Sequence, residues 1–155
     1  MKAKTRLIGD IDIDDDKVIV METGMIGFPD LKHFALIRDE EKKKDRKLNI
    51  MWFQSMDDGD IAFPVLDPLT VMEEYKPLVN DELISKIGAI EDESTLILVT
   101  VTVPKQVEDF SVNLKAPIII NADTNKGAQI IVENDYPVKY KIYEILKAQK
   151  EKDGE

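Results

Sequence analysis

The sequence has no cysteine and only one histidine among its 155 residues. Without cysteine there is no disulfide and no thiolate metal ligand, and one histidine cannot form a multi-histidine zinc site. No apolar run reaches the roughly 18 residues that a membrane span requires. The basic residues 1–6 lead directly into Leu7-Ile8-Gly9-Asp10, without the apolar segment of a secretory signal. A cytoplasmic protein that does not enter a membrane explains these absences most simply.

The sequence also lacks a basic excess, since its formal net charge is −10. Residues 48–138 contain five lysines against sixteen Asp and Glu, so this middle part of the chain carries the acidic excess. An acidic surface repels nucleic-acid phosphates and favours basic partners, so direct binding of nucleic acid is not expected. Solubility alone explains a net charge of this size equally well.

The length fits one ordinary domain, and the chain shows no internal repeat or linker. Short apolar runs rich in Val, Ile, Thr and Phe, bounded by Gly, Pro, Asp or Asn, predict β-strands. Their spacing favours a mainly β fold: a small antiparallel barrel or sandwich of one domain, with one or two short helices. The predicted strands are Ala3–Ile8, Lys17–Glu22, Phe34–Arg38, Ile50–Gln54, Ile61–Leu66, Thr95–Val103, Phe110–Leu114, Ile118–Asn121 and Ala128–Glu133.

Two segments carry helical signals. Asn80 can cap a helix whose apolar positions include Leu83 and Ile87 and which Gly88 would end. Residues 1–138 are expected to form the β domain, and residues 139–155 an extension in which a last strand passes into a partly frayed helix. The run Asp39–Lys47 alternates in charge sign, which predicts an exposed loop or hairpin tip.

In the stretch Val112–Asn121, Asn113 and Pro117 interrupt two apolar runs. Proline cannot donate to a sheet ladder and biases the preceding residue towards extended backbone, so the stretch predicts two strands joined at a sharp corner. Nothing in it can act as a nucleophile, a general base or a strong metal ligand. The most distinctive part of the sequence is therefore architectural.

Five aspartates between Asp10 and Asp16 suggest a calcium site. A helix-loop-helix calcium loop requires Gly at its sixth position and Glu at its twelfth, and the registers beginning at Asp10 and Asp12 have neither. Isoleucines alternate with the first aspartates, which is more typical of an exposed turn or an edge strand. His33, the sole histidine, is interpreted as an ordinary surface residue.

Gly24 and Gly27 do not form a phosphate-binding loop, because no third glycine and no Lys-Ser or Lys-Thr pair follows at the required spacing. They are expected to provide turns with positive φ, while Phe28 anchors the loop on the core. Core packing is also the expected role of the strand aromatics Trp52, Phe53 and Phe63.

A polar segment follows the predicted strand Ile50–Gln54, with three aspartates around Gly59. It predicts a solvated hairpin tip or, equally well, an acidic rim that meets a basic partner. In the second case the charges would act mainly on association rate and specificity.

Taken in order, several segments resemble the FliW family of bacterial flagellar assembly factors. The matching segments are 24–28, 52–55, 61–65 with Asp67-Pro68, 101–104, 113–121, 129–131 and 136–137. They cover about residues 5 to 138 in the order and at the separations of the family. The Asn-Leu-x-Ala-Pro element at residues 113–117, joined to the rest, is the most specific of them.

This resemblance implies a small β-barrel-like binding protein without catalytic activity, cofactor or metal. It implies that the protein binds newly made flagellin in the cytoplasm, near the helical ends of the flagellin chain. When free of flagellin, members of the family bind the carbon storage regulator CsrA and relieve its repression of flagellin mRNA translation. CsrA-type regulators are small basic RNA binders, so the acidic middle of this chain fits an antagonist of one.

Most family-matching positions are expected to be structural, because turns, corners and side-chain-to-backbone hydrogen bonds explain them. These positions are Gly24, Gly27, Phe28, Pro68, Asn113, Pro117 and Asn121. Partner contacts are predicted for the polar rim residues Gln54, Asp57, Asp58 and Asp60. Two alternatives stay open: an adaptor for some other helical peptide and, less favoured, a small metal-dependent hydrolase that uses the Asp10–Asp16 cluster.

Overall fold

The computed structural model describes residues 1–38, 50–89, 91 and 93–153. The predicted loop Asp39–Lys47 lies outside these residues. The described chain is mainly β with two short helices, which confirms the predicted class. Its strands are β1 (Lys2–Thr5), β2 (Gly9–Asp12), β3 (Ile19–Met21), β4 (His33–Arg38), β5 (Met51–Ser55), β6 (Ala62–Leu66), β7 (Thr95–Thr102), β8 (Ser111–Val112), β9 (Ile118–Asn121), β10 (Lys126–Gln129) and β11 (Tyr140–Lys141); its helices are α1 (Asp81–Ile87) and α2 (Tyr143–Asp153).

Seven of these strands close into a barrel. The ring runs β3-β4-β5-β6-β7-β9-β10, and β10 pairs with β3 to complete it. Every pairing in the ring is antiparallel except that of β3 with β10, which is parallel. The predicted antiparallel barrel is therefore confirmed, with one parallel exception. Ring closure gives every one of the seven strands two neighbours, which removes the unpaired edges that promote aggregation.

Alternation along the strands divides the apolar residues between the barrel interior and its outer faces. Inside, the rings of Phe34 and Phe53 stack with centroids 4.4 Å apart, and both residues are fully buried. Outside, α1 covers β9 and β10 by packing Leu83 and Ile87 against Ile119. The segment from β11 into α2 covers β7 and β8 in the same way. Burial of one such side chain stabilises the fold by about 1.5–3 kcal/mol, so a few contacts suffice to hold each helix.

Helix α1 begins and ends where the sequence predicts. Asn80 Oδ1 accepts a hydrogen bond from the backbone N–H of Leu83 at 3.1 Å, and Gly88 follows the last turn with φ 92°. The side chain of Asn121 then donates to the carbonyl oxygens of Ile87 and Ala89, each at 3.0 Å. These bonds satisfy carbonyls that the end of a helix leaves without partners, and they tie α1 to β9.

The predicted corner within Val112–Asn121 is a loop in a single ladder. Leu98 of β7 lies opposite Ile118, and Val101 of β7 lies opposite Val112. Between these two pairs β7 advances by three residues while the facing chain advances by six. The three extra residues loop out. Asn113 Oδ1 supports this loop by accepting hydrogen bonds from the backbone N–H groups of residues 115 and 116, each at 3.1 Å. Strands β8 and β9 thus share one edge of β7.

Several predicted strands have different bounds in the structure, and two of them differ most. The segment Ala3–Ile8 is not one strand, because β1 ends at Thr5 and the chain turns back into β2, which begins at Gly9 with φ 81°. The segment Ala128–Glu133 contains only the end of β10, which stops at Gln129. In both cases the apolar pattern continues past the end of the strand, so the pattern alone does not mark where a strand ends.

Core packing is the correct prediction for Phe53 and Phe63 but not for Trp52. Trp52 lies between two interior residues of β5, Met51 and Phe53, so its side chain is directed to the outer face, where it is half-buried. At the C-terminal side, β11 passes into α2 and Ile142 between them is fully buried, so this segment packs on the sheet.

Candidate functional site

Two connections leave the same end of the barrel. They are the loop between β3 and β4, residues 22–32, and the turn between β5 and β6, residues 56–61. The register brings them together, because Phe34 at the start of β4 lies opposite Ser55 at the end of β5. The turn between β9 and β10, residues 122–125, lies at the other end of the barrel. We call residues 22–32 and 56–61 the loop end.

The acidic turn of the loop end is rigidly built. Ser55 Oγ accepts hydrogen bonds from the backbone N–H of Asp57 at 3.2 Å and of Asp58 at 2.9 Å, and Asp58 Oδ1 accepts one from the N–H of Asp60 at 3.1 Å. A Cβ on Gly59 would lie 1.8 Å from a carbonyl oxygen of β1, so β1 packs directly against the turn. The turn therefore presents the exposed residues Asp58 and Asp60 in one fixed arrangement.

Gln54 does not lie on an exposed rim, which corrects its predicted placement. Its side chain is fully buried, and its Nε2 lies within hydrogen-bonding distance of the carbonyl oxygens of Ser55, Gly59 and Ile61 at 2.9, 3.2 and 3.1 Å. The reason lies in the following turn: its carbonyl oxygens at Gly59 and Ile61 draw the Gln54 amide inward, and β1 packs on the other side of this turn at Gly59. Gln54 therefore supports the acidic turn from inside.

Asp57 joins the two connections of the loop end. Its carboxylate accepts hydrogen bonds from the backbone N–H groups of Lys32 and His33, at 2.7 and 2.9 Å, and pairs with His33 Nδ1 at 3.0 Å. Partial burial acts to raise the pKa of Asp57, but these hydrogen bonds outweigh it and hold the pKa below its usual value. His33 is thus a half-exposed partner of Asp57 and more than an isolated surface histidine.

The loop between β3 and β4 carries exposed apolar side chains. Met25 and Phe28 exchange backbone hydrogen bonds around a tight turn, in which Gly24 has φ 68° and Gly27 has φ 88°. A Cβ on Gly24 would lie 2.4 Å from the Phe28 carbonyl oxygen, so the close approach excludes a side chain there. Met25 is buried, whereas Ile26 and Phe28 are 53% and 39% exposed. The ring of Phe28 meets the ring of Phe63 edge to face, with centroids 5.3 Å apart, so Phe28 also contacts the core.

The loop end therefore combines a fixed acidic turn with an apolar loop tip. Such a surface suits a partner that presents both basic and apolar side chains. Among the described residues no group of three or more His, Asp or Glu side chains is arranged to hold a metal ion. The described helices likewise include none that is long and apolar enough to cross a membrane.

Within the Asp10–Asp16 cluster, Asp12 and Asp15 share one partner, the chain's terminal ammonium group, at 3.5 and 3.0 Å. Asp10 and Asp12 lie on β2 opposite Lys4 and Lys2 of β1. Asp15 also begins a short 3₁₀ helix. The structure places these residues on a hairpin and the turn after it, as an edge-strand interpretation expects.

The remaining family-matching residues make contacts within the chain, away from the acidic turn. Pro68 is buried in a 3₁₀ helix that Asp67 caps through the N–H of Leu69. Pro117 accepts a hydrogen bond from the N–H of Ile130 at 3.1 Å, which extends the pairing of β9 with β10. Asn113 and Asn121 fix the looped-out corner and α1, as described above.

Sequence reasoning missed Ile26 as a candidate contact residue. A signal was available, because Gly24 and Gly27 predict turns around Ile26, and an apolar residue at the tip of a turn is ordinarily exposed. Gln129 was also missed. Its Oε1 accepts a hydrogen bond from the N–H of Ile26 at 2.8 Å, a contact between residues 103 positions apart that no local pattern indicates.

Comparison with known proteins gives concordant results. The sequence profile of the family described as FliW protein matches residues 2–142. A flagellar assembly factor FliW from Lachnospira eligens is 41% identical over 151 residues, which cover 96% of this chain and 99% of that protein. A flagellar assembly factor FliW from Thermotoga neapolitana is 39% identical over 145 residues, which cover 92% of this chain and 94% of that protein.

The similarity extends to three-dimensional structure. The crystal structure of a flagellar assembly factor FliW superposes with a TM-score of 0.81 and 25% sequence identity, over 92% of this chain and 96% of that chain. The structural match thus extends over most of both chains.

Proposed function

Because this chain belongs to the FliW family of flagellar assembly factors, we propose that it acts in the cytoplasm by binding other proteins and catalyses no reaction. Its first partner is newly made flagellin, bound near the helical ends of the flagellin chain. Its second partner is the translational regulator CsrA, bound when flagellin is absent. Binding of CsrA would relieve the repression of flagellin mRNA and so couple flagellin synthesis to assembly.

The observation that carries this proposal is the fixed acidic turn. Its backbone is held by Ser55, Gln54 and the packing of β1, so Asp58 and Asp60 lose little conformational freedom when a partner binds. A basic RNA-binding protein is the complement of such a surface. If the acidic turn covers the RNA-binding residues of such a partner, the partner can no longer bind mRNA.

The electrostatic part of the proposal is tested by measuring CsrA affinity across a salt series. We expect the affinity of the wild-type protein to fall as salt rises, because exposed charges are screened over about 8–10 Å at physiological ionic strength. The double variant Asp58→Asn, Asp60→Asn should bind CsrA more weakly and with a smaller salt dependence. Affinity that does not change with salt would contradict this part of the proposal.

A matched control removes the same charge from the opposite end of the barrel. Glu93 and Asp123 are exposed, and Asp123 lies in the turn between β9 and β10. The double variant Glu93→Gln, Asp123→Asn should retain the wild-type salt dependence for CsrA. Equal losses in the two double variants would mean that net charge acts without any contribution from the acidic turn.

The partner assignment itself is tested by capture from a flagellated cell. Purified protein used as bait should retain flagellin and CsrA as its main partners. Recovery of an unrelated helical protein, with neither of these two, would favour the adaptor alternative.

A further inference from the structure

The exposed apolar surface of the loop end continues towards β10. The backbone N–H of Ile26 donates to Gln129 Oε1 at 2.8 Å, and Gln129 Nε2 donates to the carbonyl oxygen of Ala116 at 3.1 Å. The Gln129 side chain thus fixes the tip of the 22–32 loop to the end of β10 and to the corner before β9. Ile26 and the residues after Gln129 must therefore lie close together.

Beyond β10 the chain remains extended. The N–H of Ile130 donates to the carbonyl oxygen of Pro117 at 3.1 Å, and that of Val132 donates to the carbonyl of residue 115 at 3.0 Å. Alternate residues of an extended segment share a side, so Ile131 is on the side of Gln129, which faces the loop. Ile130 is on the other side and packs with the core under α1. Ile131 is 69% exposed.

Ile26, Phe28 and Ile131 together form an exposed apolar surface, which we call the apolar strip. Acidic residues flank it at both ends. At one end, Asp57 bonds the N–H groups of Lys32 and His33, which joins the acidic turn to the part of the loop that follows Phe28. At the other end, the exposed Glu133 follows Ile131 by two residues. Beside Ile131, a groove of about 200 Å³ opens along α1, and Ile131 and Glu82 are among the residues that line it. The cation of this groove, Lys86, already pairs with Glu82 at 3.4 Å.

We propose that the apolar strip binds an amphipathic helix that carries basic residues at both ends of its apolar stripe. This inference rests on the proposed function, in which the occupant is the helical terminal segment of flagellin. The three apolar side chains of the strip come from two separate chain segments, so the occupant must cover both with side chains from one face. A helix does this while its own backbone hydrogen bonds stay satisfied. The acidic residues at both ends would set its position along the strip.

Point variants test the strip with full-length protein and purified flagellin. Ile26→Ser and Ile131→Ser each remove an exposed apolar side chain, and each should weaken flagellin binding about tenfold or more. The matched control is Leu69→Ser, since Leu69 is 51% exposed and follows β6 at the opposite end of the barrel. The control should bind as the wild type does. All three side chains are exposed, so we expect each variant to unfold at the wild-type urea concentration.

A peptide pair tests the helical occupant directly. A synthetic peptide with the sequence of the terminal helical segment of flagellin should bind the wild-type protein and bind Ile26→Ser at least tenfold more weakly. A scrambled peptide of the same composition, without the apolar stripe, should not bind. Equal binding of the two peptides would overturn the proposal.

The outcomes separate this inference from the proposed function. If wild-type protein does not bind flagellin at all, the proposed function fails, and with it the assignment of flagellin to the strip. If wild-type protein binds flagellin and both strip variants bind it equally well, the strip is overturned while flagellin binding stands. Loss of flagellin binding in Leu69→Ser as large as in the strip variants would also overturn it.

Discussion

Replacement of Gln54 should loosen the acidic turn without touching its exposed surface. The Gln54 amide faces three carbonyl oxygens, but its two N–H bonds can satisfy only two of them fully at one time. Two of these carbonyls, those of Gly59 and Ile61, also accept backbone N–H groups. Gln54→Met should therefore remove about two net hydrogen bonds, at about 0.5–1.5 kcal/mol each.

Removal of a buried acceptor partly offsets this loss of stability. Gln54 Oε1 is buried and has no hydrogen-bonding partner among the described residues, and Met has no such oxygen. Removal of a buried unsatisfied acceptor returns about 1 kcal/mol or more of stability. We therefore expect Gln54→Met to reduce the free energy of unfolding by only about 1 kcal/mol, which lowers the melting temperature by about 2–4 °C in a domain of this size.

Gln54→Glu gives the sharper comparison. At neutral pH the carboxylate would face the same three carbonyl oxygens with no proton to donate, so we expect a loss of about 3 kcal/mol or more. Urea unfolding measured by tryptophan fluorescence reports both variants, and the loss in Gln54→Glu should shrink at acid pH as the carboxyl becomes protonated. Equal stability of the Met and Glu variants at neutral pH would refute the assigned hydrogen bonds.

The other predictions concern the same end of the barrel and its scaffold. In wild-type protein the lowered pKa of Asp57 means that its carboxylate stabilises the fold above the ordinary carboxyl pKa of about 4, and this stabilisation is lost as pH falls through the folded value. Asp57→Asn should therefore lower the unfolding free energy by about 1 kcal/mol at pH 7, and in urea titrations the difference from wild type should shrink as pH falls below about 4. Gly59→Ala should cost about 3 kcal/mol of stability and release β1 from the turn, because its Cβ would lie 1.8 Å from the Lys4 carbonyl oxygen. The control Gly9→Ala adds only backbone strain of about 1–2 kcal/mol, since its Cβ would meet no atom. Equal urea midpoints for the two variants would contradict this reasoning. Asn121→Ala should cost about 2 kcal/mol and speed amide hydrogen exchange in α1, and unchanged exchange there would contradict the assigned tether.

Local signals predicted the elements that local chemistry determines. Asn80 and Gly88 set the ends of α1, and the apolar pattern found most of the barrel strands. The parallel pairing of β3 with β10 joins residues about a hundred positions apart, so no local pattern could indicate it. The outward position of Trp52 followed from the register of β5, which an all-apolar run of residues does not reveal.

The candidate site likewise combines features that local sequence predicts with features that depend on distant parts of the chain. The acidic turn was visible because Asp57, Asp58 and Asp60 surround a glycine. The burial of Gln54 was not, because a polar residue at the end of a strand is ordinarily exposed, whereas the side chain of Gln54 bonds the carbonyl oxygens of the turn that follows it. The hydrogen bond between Ile26 and Gln129, which joins two parts of the surface, is likewise a product of the closed barrel.

Amide hydrogen exchange of the protein with and without bound flagellin tests most directly whether the loop end is the binding surface. Slower exchange on binding should be found at residues 24–32 and 56–61 and after β10, near residues 129–133. The turn at residues 122–125, at the opposite end of the barrel, should exchange as in the free protein. Protection confined to residues 122–125 or to α2, with the loop end unchanged, would contradict the account.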